Sequence, residues 1–396
     1  MVSSVLFRVG FLMRTFVIMS LLFLMAGVQS CSHLKLGRSL RVSDADWPTY
    51  GRDLARSNMT VESLRPPLGI VWTNDVTGGI GNGSPVVVDN LLVIGTLRGE
   101  VHVFDINTGD REGWLSFGDA IQGSPIVSGD IIYVAVSNSD ESLIAYNMKT
   151  GQHLWAGRFG DIEASPALAN DRLYVGNVWG EFFCVDASDG DMVWEFSIPG
   201  NKRMKGIRAS PAISDSTVIF GGEDGSVYAL NAEDGELLWR HKTGDPVVAT
   251  PSVAAGIVYA ANLGGTVTAI RVDTGEELWK LNFGSMFYAG VAIAGHRVLA
   301  VTSEGRLHSL DGRTGEILWR TDLGGIVNAS PVIAGDHVYV GTLRKILYAL
   351  EIETGEIVFQ EVLEGRVKTT PAVAFGKLFI ATDDRLVLAF SEEAAE

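Results

Sequence analysis

The chain has very little cysteine, two residues in 396, and its seven histidines are scattered singly. Cys31 and Cys184 cannot build the disulfide framework that holds small secreted domains together. His33, His102, His153, His241, His296, His308 and His337 fall in no paired-ligand spacing, so each reads as a strand-face or surface residue. HExxH, CxxC-pair, P-loop and Gly-x-Ser-x-Gly patterns are all absent, which removes the enzyme classes those motifs serve. Cations are scarce too: 31 Lys and Arg stand against 47 Asp and Glu, a net charge of −16. A nucleic-acid partner needs a basic face, and the one basic cluster, Lys202-Arg203-Met204-Lys205 with Arg208, is confined to a single loop. The apolar run from Thr15 to Val28 is shorter than the roughly 20 residues of a membrane-crossing helix.

What the chain has in abundance is repetition. Pro85, Pro125, Pro166, Pro211, Pro251, Pro331 and Pro371 each follow Ser or Thr, and Val291 fills the one slot without proline. The spacing of about 40 residues is that of solenoids and propellers. Within a unit, alternation such as Ser226-Val227-Tyr228-Ala229-Leu230 is strand chemistry. A tight turn follows at Gly109, Gly151, Gly190, Gly235, Gly275, Gly315 and Gly355, then a short strand ending in Trp114, Trp155, Trp194, Trp239, Trp279, Trp319 or Phe359.

There are eight Ser-Pro-like positions but seven turn-plus-aromatic strands. The missing strand is found at the other end, in Gly69-Ile70-Val71-Trp72. The chain therefore reads as an all-β, eight-bladed propeller of four-stranded antiparallel blades, closed by the N-terminal strand completing the last blade. Such closure leaves no free edge between blades, which an open solenoid or a pair of sandwiches does not explain. Six residues before each turn glycine stands a small residue, Val103, Ala145, Cys184, Ala229, Ala269, Ser309 or Ala349, with Ala389 in the last unit; the pattern suggests that a neighbouring blade's Trp packs over it. Cys184 in that slot reads as a buried structural thiol.

Residues 1–30, with Arg8, Arg14 and the apolar run, read as a signal peptide. Their end, Val28-Gln29-Ser30-Cys31, resembles a bacterial lipobox, with Gln29 unusual in its middle position and Cys31 as the residue to be lipidated. Residues 31–46, polar and carrying Lys35, Arg38 and Arg41, are expected to form a flexible tether, and residues 47–396 the propeller. The residues three before each proline slot are expected to face the central funnel: Asn82, Gln122, Glu163, Arg208, Val248, Tyr288, Asn328 and Lys368. One acid among eight is a poor calcium cage.

The repeat of Ala, Asp or Asn, Thr-Gly-Glu and Trp, with Trp47-Pro48-Thr49-Tyr50-Gly51-Arg52 ahead of it, resembles the quinoprotein-type (PQQ-like) propeller family over residues 47 to 390. Quinoprotein dehydrogenases of that family use an adjacent Cys-Cys pair, calcium and a catalytic Asp. This chain has no Cys-Cys, so no catalytic residue, metal site or cofactor is expected. Among propellers without catalysis, the chain resembles the BamB-type lipoprotein family of the outer-membrane β-barrel assembly machinery. That resemblance implies a scaffold on the periplasmic face of the outer membrane that docks on the barrel-inserting subunit through inter-blade loops. The positions matching the docking loop are Ile198, Met204, Lys205 and Arg208. In the next loop, Pro246 and Val248 occupy the slots of the family's paired acids, with Asp245 one place off.

Overall fold

The computed structural model describes residues 34–200 and 206–393. These form eight sheets, each a four-stranded antiparallel blade, with the short strand Met59–Thr60 added in parallel to the inner strand of blade 7, and no helix among the described residues. Blade 1 comprises Val86–Val88, Leu91–Gly95, Glu100–Asp105 and Arg111–Ser116, and the same four-strand meander recurs through blade 7, which ends at Ile357–Val362. Blade 8 contributes only Ala372–Ala374, Lys377–Ala381 and Leu386–Glu392 from the C-terminal end, and Leu68–Asp75 is its outer strand. Trp72 lies opposite Ala389 there, as the strand count predicts.

The small-residue slot has a different cause from the one expected. Ala145, Cys184, Ala229, Ala269 and Ser309 sit directly across from Trp155, Trp194, Trp239, Trp279 and Trp319 of their own blades. A larger side chain there would displace the indole, which then leans out over the next blade. Each indole Nε1 donates to a carbonyl on that blade's turn: Trp72 to Ile106, Trp155 to Ala187, Trp194 to Ala232, Trp239 to Val272, Trp279 to Gly312 and Trp319 to Ile352, all at 2.7–3.1 Å. The turn glycine lies beneath the ring. At Gly235, where φ is +75°, a Cβ would come within 2.6 Å of Trp194. The glycine is therefore required twice, for the left-handed turn and for the close approach of the ring.

Two seams lack this indole. Trp114 stands five residues after Gly109 rather than four, and the cross-strand partner of Val103 is Gly113. Trp114 is thus out of phase with the other tryptophans, contrary to the sequence reading. At the seam between blades 1 and 2 the carbonyl of Met148, three residues before Gly151, instead accepts from the backbone N–H of Leu36 at 2.8 Å. At the seam between blades 7 and 8, where Phe359 has no N–H to give, Leu64 accepts from the Tyr339 hydroxyl.

From Leu34 on, the expected flexible tether is instead packed against the propeller. Leu34 is buried and accepts from the Tyr146 hydroxyl at 2.6 Å, while Leu40 is buried and donates to Asp130 Oδ1 at 2.8 Å. Residues 1–33, which include the expected signal peptide and Cys31, lie outside the described residues.

The repeated Ser/Thr-Pro joins neighbouring blades around the tunnel. The N–H groups of Ser84, Ser124, Ser165 and Ser210 donate to the hydroxyls of Ser124, Ser165, Ser210 and Thr250, and Ser330 donates to Thr370, at 2.7–3.2 Å. Inside this ring the chain from Trp47 to Thr60 makes a circuit of the inner strands. The carbonyls of Trp47, Pro48, Leu54, Ala55, Ser57 and Asn58 accept from Val87, Val127, Ile213, Val253, Ile293 and Ile333, each at the same place in its blade. Arg56 is fully buried at the centre of this circuit, donating to the carbonyls of Pro211, Pro166 and Tyr50 and to Thr49 Oγ1.

Candidate functional site in the central funnel

The connections between blades set the funnel. Asn82, Gln122, Glu163, Arg208, Val248, Tyr288 and Asn328 line one cavity of about 340 Å³, with Tyr50 from the central circuit among its walls. Seven of the eight expected positions are therefore brought together; Lys368 is not among the lining residues and pairs with Asp383 at 3.8 Å.

Arg208 dominates the charge of this cavity. Its guanidinium is hydrogen-bonded to Glu163 and, at 2.7 Å, to Glu223, and is partly exposed. Burial lowers its affinity for the proton, but the hydrogen bonds and charge of the two carboxylates outweigh that and hold the guanidinium above its ordinary range. Arg208 thus ties blades 3 and 4 together at the funnel wall. The cavity's other polar groups are amides and hydroxyls, and the amide oxygen of Asn328 has no protein partner.

The other docking-loop candidates divide. Ile198 is fully buried, in a cluster with Ile207, Phe220 and Tyr228, so it anchors the loop rather than presenting a contact surface. Met204 and Lys205 lie outside the described residues. What the sequence reading missed is a set of exposed apolar side chains on the same face, Trp179, Met286 and Ile326, which like the expected Tyr288 are each about half exposed. Met286 and Tyr288 share one inter-blade loop and Ile326 lies in the next, where Ile326 accepts from the Leu343 N–H at 2.9 Å. A large apolar residue placed directly after the turn, as in Gly284-Ser285-Met286 and Gly324-Gly325-Ile326, was the available signal.

The quinone cofactor implied by the fold is a tricarboxylate, bound with a divalent cation, and the donor set here does not fit it. The lining guanidinium already holds two carboxylates, and Glu163 is the acid on the wall. Among the described residues no group of three His, Cys, Asp or Glu is placed to hold a metal. Cys184 is buried in blade 3 with its thiol pushed up to about 11 by burial, far from the reactive range.

Fold and funnel define an eight-bladed propeller of the PQQ-like class. The chain belongs to the family described as outer membrane protein assembly factor BamB, whose model matches residues 58–161, 140–286, 263–342 and 303–396. It is 25% identical over 142 residues to the assembly factor BamB of Burkholderia pseudomallei, a match covering 32% of this chain and 37% of that protein. It is also 27% identical over 187 residues to a quinohemoprotein alcohol dehydrogenase of Comamonas testosteroni, covering 39% of this chain and 26% of the dehydrogenase. Both matches span well under half of those relatives. Among solved structures, BamB of Moraxella catarrhalis superposes with a TM-score of 0.71 at 20% identity, covering 82% of this chain and 99% of that one. The Comamonas dehydrogenase gives 0.75 at 17% identity, covering 89% and 81%. These likenesses are of fold.

Proposed function

We propose that the protein is a non-catalytic, lipid-anchored scaffold at the periplasmic face of the outer membrane, binding envelope proteins during β-barrel assembly. Cys31 carries the lipid, and the propeller docks on the barrel-inserting subunit through its funnel face. The observation that carries this reading is the exposed set Met286, Tyr288 and Ile326, beside a funnel whose guanidinium is consumed by its own carboxylates. Aromatic, methionine and aliphatic groups on fixed loops suit a protein surface. Photo-crosslinking from positions 286 and 326 in intact cells tests it: adducts with the barrel-inserting subunit support the scaffold, and adduct-free protein at normal abundance opposes it.

A second reading, a quinone-dependent oxidoreductase or small-ligand sensor, draws on the 340 Å³ cavity and on the similarity to dehydrogenases. Quinone and calcium added to the purified protein, followed by alcohol-dependent dye reduction, would establish it over the scaffold.

A further inference from the structure

The segment immediately after Cys31 is docked at one particular seam. Leu36 donates to the Met148 carbonyl at 2.8 Å and Gly37 to the Lys149 carbonyl at 3.2 Å, the former being the acceptor position that tryptophan Nε1 uses at six other seams. Lys35 lies over Gly151, with its side chain 3.3 Å from where a Cβ would stand, as the indoles lie over Gly190 and Gly235. Ser39 and Leu40 bond to Asp130, Lys149 Nζ donates to Ser39 at 2.8 Å, and Arg38 pairs with Asp89. Residues 34–40 therefore form a strap that replaces the missing blade-1 indole.

Charge singles out the same seam. The turn of blade 2, Asn147-Met148-Lys149-Thr150-Gly151-Gln152-His153, contains no acid. The equivalent turns of the other six blades that have one all contain acids: Asp105 and Asp110, Asp186, Asp189 and Asp191, Glu233, Asp234 and Glu236, Asp273, Glu276 and Glu277, Asp311 and Glu316, and Glu351, Glu353 and Glu356. The strap adds exposed Lys35 and Arg38, and exposed Arg41 follows it; with Lys149 these cations outnumber Asp89 and Asp130, the two acids that hold the strap. In a chain of net charge −16, this is the part of the rim that meets an anionic lipid surface with the least repulsion.

We propose that the strap sets the orientation of the propeller on the membrane, with the seam of blades 1 and 2 facing the lipid headgroups. The inference rests on the reading of Cys31 as the lipid anchor. Three residues from Cys31 to Leu34 reach at most roughly 10 Å, so the docked strap cannot stand far from the bilayer. The opposite rim, at blade 6, then points away.

The test uses the lipidated protein in phosphatidylethanolamine–phosphatidylglycerol vesicles, with a fluorophore on Gln152→Cys in blade 2 or on Arg313→Cys in blade 6. Buried Cys184 leaves each label at one site. Headgroup spin-labelled lipid is expected to quench the label at 152 several-fold more than the label at 313. A flexible linker of about ten residues inserted after His33, with a reach of roughly 17 Å, is expected to erase the difference while leaving the melting temperature unchanged. Equal quenching at both sites, or a preference kept by the linker variant, overturns the proposal. Mass spectrometry of Cys31 separates the two levels: an unlipidated cysteine ends the anchor reading and the orientation with it, whereas a lipidated protein with equal quenching ends the orientation alone.

Discussion

Trp72 sits across the strand from Ala389 and donates its indole N–H to the carbonyl of Ile106, at 2.9 Å, on blade 1. One side chain thereby joins the start of the propeller, its end and the first seam. Changing Trp72 to Ala should remove about 3–5 kcal/mol, the usual cost of deleting a buried indole. Deleting residues 68–75, which strips blade 8 of its outer strand, should abolish cooperative unfolding, as followed by denaturant titration.

Trp194 isolates the hydrogen bond. Trp194→Phe keeps an aromatic ring over Gly235 but removes one of the two donors to the Ala232 carbonyl, leaving it the Tyr174 hydroxyl at 3.1 Å. A loss of about 1 kcal/mol is expected from the missing bond. A much larger loss would mean that ring shape, not the N–H, governs the seam.

Arg56 shows what the sequence could and could not reveal. The fold was legible because it is periodic: strand alternation, turn glycines and the displaced Trp72 all repeat in register, so each unit checks the others. The chain from Trp47 to Thr60 occurs once. Its arginine, between Ala55 and Ser57, reads like any surface cation until the tunnel is closed around it. The exposed funnel loops were hidden for a similar reason, since Met286 and Ile326 belong to connections whose length repeats but whose composition does not. The strap was written in the sequence as one extra residue between Gly109 and Trp114, a phase slip that has a consequence only once the indoles are seen to bridge seams.

Burial pushes the Arg56 guanidinium down to about 10, against the opposing charge of Asp53, so it stays protonated at neutral pH. Arg56→Met should strand the carbonyls of Pro211 and Pro166 and cost at least about 3 kcal/mol. Arg56→Lys, with one donor centre in place of a fork, should recover only part of that. Full recovery by lysine in a thermal melt would contradict the forked role.

His308 gives the fold an acid sensitivity. It is buried against Phe283, neither ring nitrogen has a protein partner, and burial followed by the charges of Arg320 and Arg306 lowers it to about 4. The unfolded chain takes up this proton near pH 6.5 and the folded chain only near pH 4, so the unfolded state binds more protons between those values. Stability should therefore fall as pH drops from about 6.5 towards 4. Burial lowers His102 and His337 as well, so His308→Leu should flatten the slope without removing it. An unchanged slope, measured by urea midpoints across that range, would dissociate His308 from the effect.

Deleting Glu112 would place Trp114 four residues after Gly109, the spacing found before Trp155, Trp194 and Trp239. The indole would then fall across from Val103 and swing towards Gly151 and the Met148 carbonyl, the position now held by Lys35 and Leu36. Val103 is larger than the Ala, Cys or Ser that faces the other indoles, so the variant should combine the deletion with Val103→Ala. Indole and strap cannot occupy one slot, and the indole brings more apolar surface than the backbone N–H it replaces. The strap should be expelled, making bonds near Lys35 and Arg38 susceptible to trypsin while the propeller keeps its melting temperature. A strap as protected as in the parent protein would show that its hold on Asp130 and Tyr146, rather than the empty indole slot, fixes it in place.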